Sequence, residues 1–386
     1  MAPKELDYLI IGPAHPFRGG IAETQHELAK ALLEQGYTVR LITFTKLYPK
    51  FLFPGTSPYT TLKSPKKLVI DQDIHAYYPW RWKKTSRYIN SLKPKNVIFR
   101  YYTPFLAPVY VAIAKRLEKN IKRSALVDNW FPHESNLFDK RLNKYFGKQM
   151  QSFTTLSSQV AEQIKKEFNI PVWAGFHPIA TSLSPKIEKE KARNILGWAS
   201  ETKMVLFFGL IRKYKGLELL LQSFAESPLK EQDSICLYVA GECYEDPNKY
   251  TTLVKDLKIE SRVTLDFTYK NPNEAALLFS AADAVAQTYH SATQTYHSAT
   301  QSGITPYAYF YNNPLLVSDI SGLNELIKKD TTGLCTPKKS KAIATHLIEL
   351  LEEGNFKKYK ENIIGAKDKY QWSYFVKKWH HFIENI

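Results

Sequence analysis

The sequence is poor in cysteine and has no long apolar run. Its few cysteines are too unevenly spaced for a disulfide framework or a metal cluster: Cys236, Cys243 and Cys335. No stretch approaches the roughly 18 uninterrupted apolar residues that a membrane span needs. The apolar run at residues 8–11 is ended at once by a Gly-Pro pair and is therefore too short for a secretory signal. We therefore expect a cytoplasmic protein whose contact with a membrane is peripheral.

Acidic residues are scarce in the first half only. Residues 1–178 hold 27 Lys and Arg against 13 Asp and Glu, whereas the remainder holds 26 against 24. Such asymmetry indicates an anionic partner for the first half, either a lipid surface, a phosphorylated acceptor or a nucleic acid. A solvated basic face is the alternative. One basic cluster follows an apolar stretch: Lys115, Arg116, Lys119, Lys122 and Arg123.

The first half opens with one βαβ unit. An apolar strand at residues 8–12 leads through a loop with Gly19 and Gly20 into an amphipathic helix, which Gly36 is placed to end. Residues 39–44 form the next expected strand. Strand, glycine turn, helix and strand thus fit within 45 residues.

The second half repeats this plan with strands at 204–209 and 235–241 and a helix at 217–224. Further strand candidates alternate with helical segments: residues 97–102, 125–130, 153–156, 263–267, 284–288 and 315–319. This alternation predicts an α/β protein with two doubly wound parallel sheets. The polar, proline-containing segment 175–190 is the expected boundary, giving domains 1–180 and 181–386. The last helix is expected to pack back on the first domain.

The loop Gly209-Leu210-Ile211-Arg212-Lys213-Tyr214-Lys215-Gly216 lies where a strand hands over to a helix. Backbone N–H groups and the helix dipole favour an anion at such a place. Arg212 can grip a diphosphate with two parallel hydrogen bonds, and Lys215 adds a point charge. The pattern is typical of a phosphate site, although basic loops at strand ends are also common without a ligand.

Five segments together resemble glycosyltransferase family 4. FFGLIRKYKGLELLLQSF resembles its strand, G-R-x-x-x-K-G and helix, and LIIGPAHPFRGGIAETQHELAKALLEQGYTVRLITF resembles its opening glycine loop. SALVDNWFPHES, LYVAGE and NNPLLVSDISGLNELI resemble three more segments in the same order. The resemblance implies the GT-B fold, two Rossmann-like domains facing across a cleft, and a retaining transfer from a nucleotide sugar.

The resemblance also implies roles for particular residues. The family's lysine falls on Lys215, whereas its arginine position holds Leu210, so Arg212 is the expected substitute. Gly19 and Gly20 match the paired glycines that let the backbone approach the sugar phosphate. His133 and Glu134 match a P-H-E segment, where the histidine would hydrogen-bond the donor sugar or the incoming hydroxyl.

The carboxylate pair that many family members carry near the sugar is missing. No Asp or Glu occurs between Ala284 and Ser318, and QTYHSAT is present there twice in tandem. The neutral residues Thr300, Gln301, Ser302 and Gly303 are expected to bind the sugar instead. The copy next to Gly303 is expected to keep the binding role, while residues 287–293 bulge into solvent or lengthen the strand exit.

These observations predict a hexosyl-type glycosyltransferase for cell-surface polysaccharide or glycolipid synthesis. The expected donor is a UDP- or GDP-sugar, bound as substrate without a further cofactor or metal. The expected acceptor is carbohydrate or lipid-linked, with an anionic membrane surface as a further partner and no nucleic acid. Two alternatives stay open: a sugar-nucleotide epimerase or hydrolase of the same fold, and a non-enzymatic basic nucleic-acid-binding protein.

Overall fold

A computed structural model describes residues 5–47, 59–60, 63–130, 137–289 and 302–386. The chain divides into two compact units, one formed by residues 1–178 with 371–386 and the other by residues 179–370. The boundary thus lies at Pro178, two residues before the expected position, and the last 16 residues belong to the first unit.

The first unit contains one parallel sheet with helices on both faces. Its strands are β1 (Tyr8–Ile11), β2 (Val39–Lys46), β3 (Ile70–His75), β4 (Asn96–Tyr101), β5 (Lys122–Val127), β6 (Ser152–Thr155) and β7 (Val172–Ala174). Its helices are α1 (Gly20–Glu34), α2 (Pro79–Leu92), α3 (Ala107–Ala114), α4 (Leu137–Gly147), α5 (Ser158–Lys165) and α14 (Trp372–Glu384). The strand order is β3-β2-β1-β4-β5-β6-β7.

The second unit repeats the design with a six-stranded parallel sheet. Its strands are β8 (Lys203–Phe208), β9 (Ile235–Ala240), β10 (Val263–Asp266), β11 (Ala284–Gln287), β12 (Leu315–Ser318) and β13 (Gly333–Thr336). Its helices are α6 (Lys189–Leu196), α7 (Leu217–Phe224), α8 (Pro247–Asp256), α9 (Pro272–Ala281), α10 (Ile304–Tyr311), α11 (Asn324–Asp330), α12 (Ser340–Leu351) and α13 (Glu353–Ala366). The order is β10-β9-β8-β11-β12-β13. The expected α/β class with two parallel sheets is confirmed.

The central strands of the first unit are buried on both faces because alternate side chains enter two different cores. Leu9 and Ile11 pack with α2, α3 and α4, whereas Tyr8 and Ile10 pack with α1 and α14. This two-sided burial explains why β1 is apolar throughout instead of alternating with polar residues.

Helix α14 returns to the first unit and completes the second of these cores. The indole N–H of Trp379 donates to Thr154 Oγ1 at 2.8 Å, and the Trp379 ring lies 5.3 Å from that of Tyr8. Lys122 Nζ donates to the carbonyls of Ile383 and Glu384, which satisfies acceptors that the end of α14 leaves open. The C-terminal helix is therefore an integral part of the first core.

Candidate functional site

The strand order of the second unit places a topological switch point between β8 and β11. From β8 the chain proceeds outward to β9 and β10, and from β11 it proceeds in the opposite direction to β12 and β13. In open parallel sheets ligands bind outside the carboxyl ends of the strands at such a point. The segments that leave β8 and β11 are therefore the candidate site.

Two glycines set the path of the loop after β8. Gly209 and Gly241 have φ angles of +103° and +137°, which L side chains rarely adopt. A Cβ on Gly241 would lie 2.3 Å from the carbonyl oxygen of Gly209. The backbones of the two strand exits are therefore in direct contact. The Gly209 N–H also donates to the carbonyl oxygen of Ala240 at 2.9 Å.

Lys215 ends a short 3-10 turn in this loop, immediately before α7. Its Nζ lies 5.6 Å from the centre of the Tyr289 ring, and within the described residues no carboxylate pairs with it. Burial lowers the pKa of the Lys215 amine, and the nearby charge of Arg212 acts in the same direction. A desolvated cation without a counter-charge is a favourable partner for an incoming anion.

Arg212 lies in the same loop but on its outside. The side chain is exposed, and its guanidinium carbon lies 5.0 Å above the ring of Tyr244. Leu210, at the position of the family's arginine, is 41% exposed. The loop therefore brings Arg212 and Lys215 near one another, with Lys215 the deeper of the two.

Tyr289, which leaves β11, connects this loop to the start of α10. Its hydroxyl shares a 2.9 Å hydrogen bond with Ser302 Oγ, and its ring meets Tyr214 edge to face at 5.7 Å. Burial raises the pKa of Tyr289 to about 12, so the hydroxyl stays protonated and can donate. Lys215, Tyr289 and Ser302 thus form one continuous group.

The neighbouring residues of β11 fix the two loops against each other. Thr288 Oγ1 donates to the carbonyl of Gly216 at 3.0 Å, and Gln287 Nε2 donates to Thr305 Oγ1 at 3.1 Å. Gln287 Oε1 is buried without a hydrogen-bond partner among the described residues. Ser302 Oγ accepts from the N–H of Ile304, and Gly303 precedes the first turn of α10. The N-terminal ends of α7 and α10 therefore lie beside the same group.

The first unit has its own switch point, between β1 and β4. Gly19 has a φ of +110° and Gly20 begins α1. Arg100 is 1% exposed and grips Asp128 through Nε and Nη2 at 2.6 and 2.5 Å. Gln25 is fully buried, and neither of its amide atoms has a hydrogen-bond partner among the described residues. These groups form a buried polar cluster at the carboxyl edge of the first sheet.

The comparisons with known proteins agree with this architecture. The family model described as "Glycosyl transferases group 1" matches residues 188–369, nearly the whole second unit. The crystal structure of a glycosyltransferase from Rickettsia africae superposes with a TM-score of 0.74 at 15% identity, covering 98% of each chain. Residues 188–369 are therefore similar to the group 1 glycosyl transferases, and the chain as a whole has the GT-B fold.

Two further similar proteins are informative. An uncharacterized glycosyltransferase of Methanocaldococcus jannaschii is 25% identical over 58% of this chain, and the match spans 57% of that relative's length. The structure of Anabaena HepE in complex with UDP and glucose has a TM-score of 0.71 at 13% identity, covering 98% of this chain and all of that one. At this level of identity, the similarity to HepE is one of fold alone.

Four of the site residues expected from the sequence lie outside the described residues: His133, Glu134, Thr300 and Gln301. Of the remaining six, Arg212, Lys215, Ser302 and Gly303 lie at the switch point of the second unit, and Gly19 and Gly20 at that of the first. Their roles stay predictions.

Three observations concern metal ligands, membrane-spanning helices and the one acidic residue that directly follows β12. Among the described residues no group of three or more His, Cys, Asp or Glu could hold a metal ion. Of the helices that the structure describes, none is long and apolar enough to cross a membrane. Asp319, the first acid after β12, is held by Lys328 and Asn324, which lowers its pKa. The Asp319 carboxylate is therefore already paired within the protein.

The described start of the first QTYHSAT copy lengthens the strand exit, which is one of the two arrangements expected for it. Gln287, Thr288 and Tyr289 are 2%, 0% and 6% exposed and lie in or directly after β11, so this part of the copy does not bulge into solvent. Sequence reasoning missed Tyr289 because it was assigned to an inserted loop. The signal was its place directly after the predicted strand 284–288, where ligand-contacting residues gather.

Deleting seven residues of the tandem repeat should leave the fold intact. The two copies are identical, so removing either one gives the same chain, in which Gln-Thr-Tyr again follows Ala286. Loop-length entropy changes by only about 0.6 kcal/mol per doubling. We expect a melting temperature within a few degrees of the full chain and undiminished donor affinity. Loss of folding, or loss of donor binding by a folded deletion variant, would show that both copies are needed.

Proposed function

We propose that this protein is a retaining glycosyltransferase of the family 4 type, which moves a sugar from a nucleoside diphosphate donor to a hydroxyl acceptor. The observation that carries the proposal is Lys215, a half-buried cation without a carboxylate partner in the described structure, at the switch point of a parallel sheet. A UDP- or GDP-sugar is the proposed donor, with no further cofactor. The Anabaena structure of the same fold, which contains UDP and glucose, supports this choice.

The geometry suits a departing diphosphate. Lys215 and Arg212 supply two positive charges, and the N-terminal ends of α7 and α10 supply backbone N–H groups beside them. As the bond between the anomeric carbon and the diphosphate oxygen breaks, its electron pair moves to that oxygen. Fixed positive groups stabilise this charge without rearranging during the reaction. The first role of the loop is therefore leaving-group stabilisation.

The sugar itself is proposed to lie against the neutral part of the site. Ser302 and Tyr289 offer hydroxyl groups, and Gly303 leaves room for close approach, with Thr300 and Gln301 as further expected contacts. Neutral donors and acceptors can replace a carboxylate in binding sugar hydroxyls. The acceptor hydroxyl oxygen forms the new bond on the face from which the diphosphate leaves and passes its proton to the departing diphosphate oxygen, so the anomeric configuration is retained.

The acceptor is proposed to be bound by the first unit, whose switch point carries Gly19, Gly20 and the cluster around Arg100. His133 and Glu134 are expected to contribute. Burial lowers the pKa of His177 beside this cluster, and so its imidazole stays neutral near pH 7. A cytoplasmic enzyme acting on a carbohydrate or lipid-linked acceptor for cell-surface polysaccharide or glycolipid is the proposed setting.

A thermal-shift screen against UDP-, GDP- and CMP-sugars tests the donor class. A ligand at about 100 times its dissociation constant adds about 2.7 kcal/mol to the free energy of unfolding, so a true donor should raise the melting temperature clearly. Product analysis with the stabilising donor should then show release of the nucleoside diphosphate and a retained anomeric configuration. Isomerisation of the donor sugar without release of the diphosphate would instead indicate an epimerase.

A further inference from the structure

Helices α2, α3 and α4 form one outer layer on the first sheet. Their inner sides contribute to the same core, with Ile89 from α2, Ile113 from α3 and Phe146 from α4. Asn90 of α2 donates to the carbonyl of Arg116, and Lys115 Nζ donates to the hydroxyl of Tyr145 at 2.9 Å. We call the solvent side of this layer the outer helix face.

The outer helix face is strongly basic. Residues 79–92, 115–123 and 137–148 hold 13 Lys and Arg against two acidic residues, and α2 has no acidic residue at all. Ten of these cations are exposed: Lys83, Lys84, Arg87, Lys115, Arg116, Lys119, Lys140, Arg141, Lys144 and Lys148. The sequence cluster at 115–123 is only part of this surface, because Lys122 and Arg123 are half-buried and donate to backbone carbonyls.

Two large aromatic side chains are exposed at one end of the same face. Trp80 is 73% exposed and lies in the first turn of α2, and Phe138 is 66% exposed in the first turn of α4. Helices that connect parallel strands begin near the carboxyl ends of those strands, so both rings lie at the edge of the sheet that holds Gly19 and Arg100. The two aromatic side chains therefore lie at the carboxyl edge of the first sheet, where the acceptor is proposed to bind.

Trp80 is held in place although it is exposed. Its ring stacks on Tyr78 with centroids 4.7 Å apart, and Tyr78 stacks on His75 at 3.7 Å. An exposed tryptophan that is fixed in this way loses little conformational freedom when it enters a partner. In water the exposed Trp80 ring gains no hydrophobic stabilisation, because its apolar area stays in contact with solvent.

We propose that the outer helix face docks on an anionic lipid bilayer, with Trp80 and Phe138 in the interfacial region and the cations over the headgroups. Lipid membranes combine the two features to which this surface is complementary: a negative surface potential and an interface that favours aromatic rings. In this orientation Trp80 and Phe138 bring the carboxyl edge of the first sheet close to the membrane. This placement goes beyond the transfer reaction and does not depend on the identity of the donor.

Co-sedimentation of the full chain with vesicles tests the proposal. Vesicles of phosphatidylcholine with about one-third phosphatidylglycerol should bind the protein, and vesicles of phosphatidylcholine alone should not. Each Lys or Arg near an anionic surface contributes about 1 kcal/mol, so the triple variant Lys83→Gln, Lys84→Gln, Arg87→Gln should bind at least about tenfold more weakly. The control Lys341→Gln, Lys357→Gln, Lys358→Gln removes the same charge from exposed positions of the second unit and should bind like the wild type.

Trp80 gives a second readout. The other six tryptophans are buried or half-buried, so lipids brominated in the acyl chain should quench mainly Trp80. We expect quenching in the wild type and its loss in Trp80→Phe. Equal binding by both triple variants, or equal quenching in Trp80→Phe, would overturn the proposal. So would binding of duplex or single-stranded nucleic acid that the α2 variant loses while vesicles stay unbound, because the occupant would then be a nucleic acid.

Discussion

Replacing Lys215 by Ala should weaken binding of the nucleotide-sugar donor by about 10- to 150-fold. A hydrogen bond to a charged group contributes about 1.5–3 kcal/mol, and Lys215 is the deeper of the two cations in its loop. Calorimetric titration of the wild type and the variant with the donor measures the effect. Because the side chain ends beside Tyr289 and pairs with no carboxylate in the described structure, its removal should cost little stability.

Lys213→Ala is the matched control, since Lys213 is exposed in the same loop. It removes the same charge and should change the affinity only slightly. In the wild type, donor affinity should also fall as the pH rises through the lowered pKa of Lys215, because only the protonated amine attracts the diphosphate. Lys215→Ala should lack that dependence. Unchanged donor affinity in Lys215→Ala would remove this loop from the site.

Replacing Gly241 by Ala should destabilise the second unit by about 3 kcal/mol. The new Cβ would lie 2.3 Å from the carbonyl oxygen of Gly209, in a backbone conformation with φ of +137° that alanine rarely adopts. For a unit of this size such a loss lowers the melting temperature by roughly 6–12 °C. Donor affinity should fall as well, because relief of the clash displaces Gly209 and the loop that carries Lys215.

Gly365→Ala provides the comparison within the same unit. A Cβ there meets no atom within 4 Å, and the residue lies on the exposed side of α13. Since alanine is the better helix former, this variant should be unchanged or slightly more stable. If calorimetry gave Gly241→Ala and Gly365→Ala the same melting temperature, the close approach of Gly209 and Gly241 would not be a feature of the folded protein.

The central strands of both sheets could be predicted from the sequence because they are buried on two faces and read as continuous apolar runs. The strands that escaped prediction are β3, β7 and β13, and all three lie at the edge of a sheet. β3 has the sequence IDQDIH, whose polar residues leave no continuous apolar run, and β7 has only three residues. An edge strand needs less apolar surface, and its pattern is correspondingly weak.

The candidate site was predictable where one loop supplies it and unpredictable where two distant segments meet. Arg212 and Lys215 lie in one loop between a predicted strand and a predicted helix, and two basic residues at such a place indicate an anion site. Tyr289 is defined by contacts with Ser302, 13 positions away, and with Lys215, much earlier in the chain. The Arg100 pair with Asp128 was missed for the same reason, since Arg100 lies in β4 and Asp128 directly follows the adjacent strand β5. Such groupings depend on strand order.

Hydrogen exchange of the full chain with and without a stabilising nucleotide sugar tests the proposed donor site most directly. The segments to follow by mass spectrometry are residues 203–217, 284–289 and 302–311, which cover both strand exits and the start of α10. Binding at the switch point of the second unit predicts slower exchange in these three segments. Protection confined to the first unit, or none with any UDP-, GDP- or CMP-sugar, would contradict the account.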